Sequence, residues 1–125
     1  MQTDVYELHG QRILDLPAEG PLLRTGQDAN DLIGEAKAAG AGLVVLPITR
    51  LDPAFLELRS GIAGDMVQKF VTYQVAVAIV GDTSPLESES KSLRDFIRES
   101  NRRGSVWFLA DKDALREKLS TGSRA

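Results

Sequence analysis

The sequence predicts one α/β domain built on a single-layer, mixed, mostly parallel five-stranded sheet flanked by helices, in the order ββαβαβαβα. Two continuous apolar runs, Leu43-Val44-Val45-Leu46 and Val75-Ala76-Val77-Ala78-Ile79-Val80, have the pattern of strands covered on both faces. Segments with apolar residues at helical spacing separate the strand-like runs, and glycine, proline and polar clusters punctuate each change. A chain of 125 residues is the usual size of one domain, so residues 1–119 are read as a single unit with a polar, frayed tail at 120–125.

The elements follow in order. Val5-Tyr6-Glu7-Leu8 and Arg12-Ile13-Leu14-Asp15-Leu16 flank His9-Gly10-Gln11 and read as a β-hairpin, because glycine supplies the positive φ of a tight turn. Ala29, Leu32, Ile33 and Ala36 keep helical spacing between Thr25, a good N-cap, and Gly40, a good stop. After the strand at 43–46, Asp52-Pro53 combines a capping residue with proline at the first helical position. Phe55, Leu58, Ile62, Met66 and Phe70 then carry a helical stripe to about Val71. The run at 75–80 is the strongest strand signal, expected in the middle of the sheet, and the Ser, Pro and Glu residues of 84–92 read as a loop. A third helix turns Leu93, Phe96 and Ile97 inward and ends near Gly104; Val106-Trp107-Phe108-Leu109 is the last strand, and Asp111 caps a final helix holding Leu115 and Leu119. Strand-helix-strand crossovers link parallel strands, so the hairpin's first strand is antiparallel at one edge.

Composition narrows the function classes. The chain has no cysteine and one histidine, His9, which lies in the hairpin turn. A disulfide framework, thiolate chemistry, a Ser-His-Asp relay and a His-rich or Cys-containing metal centre cannot be assembled from these residues. No cofactor is implied: Gly40-Ala41-Gly42 lacks a third glycine and precedes a strand rather than opening a helix. A net charge of −3 provides no electrostatic footprint for nucleic acid. The longest apolar run is too short to span a bilayer, and the start has no signal-like stretch, so a cytoplasmic location is expected.

Leu58-Arg59-Ser60-Gly61-Ile62-Ala63-Gly64, Gln68-Lys69-Phe70, Ala78-Ile79-Val80-Gly81-Asp82 and the stretch Ser92-Leu93-Arg94-Asp95-Phe96-Ile97-Arg98-Glu99-Ser100-Asn101 resemble a bacterial family known only as a domain of unknown function, DUF4180. The resemblance implies a fold and transfers no activity. More distantly, the element order is similar to that of anti-sigma-factor antagonist (STAS) domains, in which a serine opening the helix after the third strand, within Asp-Ser-Xaa-Gly, is a phosphorylation switch. The matching stretch here is Leu58-Arg59-Ser60-Gly61, with leucine at the Asp position and arginine at the acceptor position.

Candidate sites follow from placement. Ligands of open parallel sheets bind beyond the carboxyl ends of the strands. That rule selects Thr49 and Arg50 after the third strand and Asp82, Thr83 and Ser84 after the fourth, with Arg94 nearby and Asp111 after the fifth. Asp82, beside two hydroxyls, is either a cation or phosphate-metal ligand or the cap of its own Asx turn. Gly61 and Gly64 lie in a helical pattern, where each glycine costs about 1 kcal/mol relative to alanine. Together with Ser60 they are either a small-residue face pressed on a neighbour or a surface offered to a partner. Arg94, Arg98, Arg102 and Arg103 form a basic ridge, read as a solvated face or a dock for an acidic partner. Trp107, Phe108 and Tyr73 are either core or the apolar patch of a homodimer.

Two functions are therefore carried forward. One is a non-enzymatic regulatory or protein-interaction module, STAS-like in fold, presenting the second helix. The alternative is a small-molecule binder or enzyme, for an anion, nucleotide or lipid, that uses the strand-end crevice.

Overall fold

Strand β1 (Asp4–Leu8) and strand β2 (Gln11–Asp15) form the predicted hairpin, with Leu8 opposite Gln11 and the two-residue turn His9-Gly10 between them. His9 at φ 51° and Gly10 at φ 80° both occupy the left-handed region, which a primed two-residue turn requires. These coordinates come from a computed structural model that describes residues 4–53, 57, 61–103 and 105–120, the side chain of Arg103 excepted.

Helix α1 (Gly26–Ala38) starts where the sequence says it should. Thr25 accepts from the Asp28 N–H, and the Asp28 carboxylate accepts from the Thr25 N–H, a reciprocal capping box. It ends at Gly40, whose φ of 72° lets the Ala41 and Gly40 N–H groups return to the carbonyls of Ala36 and Lys37. Strand β3 (Leu43–Pro47) runs into a short 3₁₀ turn (Ile48–Arg50).

Helix α2 (Ile62–Thr72) begins later than Asp52-Pro53. Gly61 is its N-cap at φ 81°, so Gly61 lies outside the helix and only Gly64 within it. Asp52 is used elsewhere: its N–H bonds the Leu23 carbonyl and its carboxylate pairs with Arg24 at 3.3 Å. Phe55 and Leu58 of the predicted helical stripe and the switch candidate Ser60 lie outside the described residues. At the far end Gln74, at φ 59°, occupies the position where a helix stop favours glycine. Gln74→Gly is therefore expected to raise the unfolding free energy by about 0.5–1 kcal/mol, measured by urea denaturation.

Strand β4 (Ala76–Val80) is followed by a helix where a loop was expected, α3 (Ser84–Glu89). Pro85 in the first turn has its φ already set for a helix, Thr83 bonds Glu87 across that turn, and Leu86 packs on the core. Ser90 is extended and its hydroxyl accepts from the Leu93 N–H, restarting the chain as α4 (Lys91–Arg103). Strand β5 (Val106–Leu109) and helix α5 (Lys112–Ser120) complete the described chain, with the Asp111 carboxylate accepting from Ala114 as predicted.

The sheet order is β1-β2-β3-β4-β5, antiparallel only at the hairpin. β3 is thus central and β4 is one strand from the edge, rather than in the middle. Because the order is sequential, crossovers of one hand place their helices on one face. Leu14, Val44, Leu46, Val77, Ile79 and Phe108 of the sheet accordingly pack with Ala29, Leu32 and Ile33 of α1, Met66 and Phe70 of α2, and Leu93 and Ile97 of α4. Ile13, Leu43, Val45, Ala78 and Trp107 face the other way and are covered by Leu115 and Leu119 of α5. Trp107 and Phe108 are therefore buried on opposite faces of β5, and of the suggested dimer patch only Tyr73 is exposed.

Candidate functional site

The parallel strands deliver their carboxyl ends to one rim, where the sequence placed its ligand candidates. Thr49 and Arg50 reach that rim on the 3₁₀ turn after β3, and both are occupied by the chain itself. The Thr49 hydroxyl donates to the Ala18 carbonyl at 2.9 Å. Arg50 is buried, its Nε donating to the Pro21 carbonyl at 2.8 Å and its Nη1 to the Pro17 carbonyl at 2.9 Å. Leu23 N–H to Arg50 O and Asp52 N–H to Leu23 O complete the join. A planar guanidinium suits this task because its fixed fork reaches two carbonyls at once. Gly20 leaves room for it: a Cβ there would lie 2.9 Å from the guanidinium carbon. An open groove of about 140 Å³ is bordered by Leu16, Leu22, Leu32 and Arg50 and by Asp28, Asp31 and Glu35 of α1, and three carboxylates to one guanidinium disfavour an anion there.

Asp82, Thr83 and Ser84 form a separate unit. Asp82 Oδ1 accepts from the Ser84 N–H at 3.0 Å, an Asx turn leading into α3. That backbone bond, with help from the Ser84 hydroxyl, holds the Asp82 carboxyl below the usual carboxylate range. Thr83 is engaged with Glu87. Arg94 is half-buried on α4 beside Asp95, whose own carboxyl is held low first by its hydrogen bond from Lys91. The ridge is thus interleaved with acids, and Arg102 pairs with Glu99 at 3.3 Å.

Among the described residues no hydrogen bond or ion pair joins Thr49 or Arg50 to Asp82, Thr83, Ser84 or Arg94. Between the two groups stands Ile48. A Cβ at Gly81 would lie 2.2 Å from Ile48 Cγ2, so the isoleucine fills the step between the ends of β3 and β4. The strand order also never reverses, and the crevice of doubly wound sheets opens where it does reverse.

The glycines of α2 have a different setting. The helix presses on the core through Ala63, Met66 and Phe70, whereas Gly61 and Gly64 are exposed and a Cβ at either would meet nothing within 4 Å. They do not form a close-packing face. Val71, 43% exposed, continues the outward surface of the same helix, whereas Val67 is half-buried and packs on the core. Ser60 lies outside the described residues.

One polar cluster escaped the sequence reading. Asp15, at the end of β2, is buried on the α5 face, and its Oδ2 accepts from the Tyr6 hydroxyl at 2.9 Å and from Lys112 Nζ at 3.0 Å. An acid in an inward-facing position of the run at 12–16 was the available signal. The cluster ties α5 to the hairpin. Burial first, then the hydrogen bond to the Asp15 carboxylate, pushes the Tyr6 phenol up to about 12. A phenol raised above its unfolded value contributes stability that is complete below pH ~10 and is lost as pH rises through ~12. Tyr6→Phe is therefore expected to lose part of the wild-type decline in melting temperature between pH ~10 and ~12. Exposure of the ring keeps the effect below the ~3 kcal/mol that two pH units represent. Calorimetry across that range checks it.

Among the described residues no group of three His, Asp or Glu side chains is placed to hold a metal, and no helix is long and apolar enough to cross a membrane. Neither a curated protein nor a solved structure shows significant similarity to the chain. A family model described as a domain of unknown function, DUF4180, matches residues 8–119, from the last residue of β1 to the penultimate residue of α5; it takes in nearly the whole α/β architecture, and the chain belongs to that family.

Proposed function

We propose that this domain is a cytoplasmic, non-enzymatic regulatory module that binds a protein partner through the outward surface of α2, in a fold of the anti-sigma-factor antagonist (STAS) type. The observation that carries the reading is the open space over Gly61 and Gly64. Glycine at an exposed helix position costs about 0.5–1 kcal/mol relative to a residue with a side chain, and among the described residues no contact offsets that cost at Gly64. Close approach of another surface to the bare backbone is what glycine there permits. Two further features support it. The hairpin start followed by strand-helix alternation is similar to the element order of STAS domains, with α3 as an addition. In sequence, Ser60 directly precedes the N-cap of the helix after the third strand, one residue beyond the position where that class carries its switch. The strand-end candidates support the rival small-molecule reading less well, because Thr49, Arg50 and Asp82 are each satisfied by their own loops.

Gly64→Gln tests this, since glutamine suits the first turn of a helix and adds bulk only on the outward side. The variant is expected to gain about 0.5–1 kcal/mol of stability while losing its partner. Affinity capture from the native host, quantified by mass spectrometry, is the measurement. One protein should be retained by wild type and by Arg98→Glu, and reduced roughly tenfold or more with Gly64→Gln, equivalent to about 1.4 kcal/mol of binding. Equal capture by all three baits, or none, overturns the reading.

A further inference from the structure

The two edges of the sheet are treated differently. In β5 the residues whose backbone faces away from β4 are Val106 and Phe108, since the Ser105 and Leu109 carbonyls are the ones bonded to β4 and the residue after it. Asn101 of α4 closes that edge: its Oδ1 accepts from the Phe108 N–H at 2.7 Å and its Nδ2 donates to the Phe108 carbonyl at 3.3 Å. The side-chain amide thus takes the place of a neighbouring strand. At the other end β1 is the terminal strand, and among the described residues no side chain hydrogen-bonds its outer edge as Asn101 does for β5. Pairing of Leu8 with Gln11 around a two-residue turn directs the backbone groups of residues 4, 6 and 8 to β2, so those of Val5 and Glu7 face outward. Val5 at 40% and Tyr6 at 37% are also two of the four exposed large hydrophobic residues described.

We propose that β1 pairs antiparallel with β1 of a second copy about a two-fold axis through Tyr6, joining two sheets into one of ten strands. The register is dictated by self-complementarity. Outward groups must meet outward groups, and only pairing Asp4 with Leu8, Val5 with Glu7 and Tyr6 with Tyr6 overlaps the whole strand. Sliding two residues one way leaves three pairs, and sliding the other way sets Glu7 against Glu7. In the full register each acid of β1 lies opposite an apolar residue, and Val5 and Glu7 exchange four backbone hydrogen bonds across the axis. Tyr6 meets its copy in a non-hydrogen-bonded pair, where side chains approach most closely. Glu7 also retains its ion pair with Arg12 at 3.3 Å. This contact uses the sheet edge and not α2, so it stands or falls independently of the partner proposed above.

Sedimentation across roughly a hundredfold concentration range tests the proposal, because a contact this small belongs to the weak class of interfaces. Wild type is expected to shift from monomer toward dimer. Val5→Glu, which sets two glutamates opposite Glu7, is expected to stay monomeric, and Val5→Lys, which sets a lysine there, to dimerise at least as well as wild type. The absence of cysteine allows a second readout. Tyr6→Cys should oxidise to a disulfide dimer several-fold faster than Val5→Cys, because only residue 6 faces itself within the ~4.4–6.8 Å Cα separation that a disulfide spans. A wild type that remains monomeric throughout overturns the proposal. So do Val5→Glu and Val5→Lys shifting association in the same direction, or Val5→Cys cross-linking as fast as Tyr6→Cys.

Discussion

Replacing Gly81 by alanine is expected to lower stability by about 3 kcal/mol or more, a fall in melting temperature of ~10 °C or more for a domain of this size. Two causes add. Gly81 has φ 156°, a conformation that residues with a side chain rarely adopt. A Cβ there would also lie 2.2 Å from Ile48 Cγ2 and 2.9 Å from Ile48 Cβ, and neither atom is the free end of a long chain that could swing away. The two causes can be separated. In an Ile48→Ala background the 2.2 Å conflict with Cγ2 disappears, whereas the approach to the retained Cβ and the backbone part remain, so Gly81→Ala should cost about 1–2 kcal/mol less there than in wild type. Urea unfolding of the four proteins of that cycle measures the coupling directly. An equal cost in both backgrounds would mean that Ile48 does not fill the step between β3 and β4, and the strand-end crevice would regain its standing as a ligand site.

What could be read from the sequence was whatever local chemistry decides. The hairpin follows from Gly10 in a two-residue turn, and α1 from Thr25 at one end and Gly40 at the other, each a short-range requirement met within a few residues. The same reasoning misplaced the start of α2. Asp52-Pro53 has the local signature of a helix start, but Asp52 is drawn into contacts with Leu23 and Arg24, far away in sequence, and the positive φ of Gly61 sets the start instead. Helix α3 was missed because Ser84-Pro85-Leu86-Glu87-Ser88-Glu89 has one large apolar residue and hence no period to detect. Its order rests on Pro85, the Asp82 turn and the Thr83–Glu87 bond.

The candidate site was legible as a location but not as a set of facing side chains. Proximity to strand ends is a local property, and it brought Thr49, Arg50 and Asp82 correctly to one rim. Whether that rim opens depends on strand order, which is decided by pairings among residues 13, 43, 76 and 106 that no short window contains. A sequential order wraps the crossovers in one direction, so neighbouring loops lie against each other instead of diverging. Asp15 shows the converse. Its inward position was visible by alternation along β2, but its partners Tyr6 and Lys112 come from the opposite hairpin strand and from the last helix.

Arg50→Ala is expected to cost about 2–4 kcal/mol, because it leaves the Pro17 and Pro21 carbonyls without their donors and removes a buried side chain that holds the loop before α1. Arg50→Lys should recover less than half of that, since a single ammonium cannot reproduce Nε and Nη1 donating to two separate carbonyls. The functional consequence lies in how the loss responds to anions. A structural arginine, satisfied by backbone oxygens, gives the same loss of melting temperature with and without added inorganic phosphate. An arginine reserved for a ligand behaves oppositely: its removal leaves stability within about 0.5 kcal/mol of wild type and abolishes a phosphate-induced rise. Thermal unfolding of wild type, Arg50→Ala and Arg50→Lys in paired buffers therefore decides between an interaction module whose strand ends are closed by its own loops and an anion-binding protein whose strand ends are open. The burial of Arg50 and its two carbonyl partners favour the first outcome.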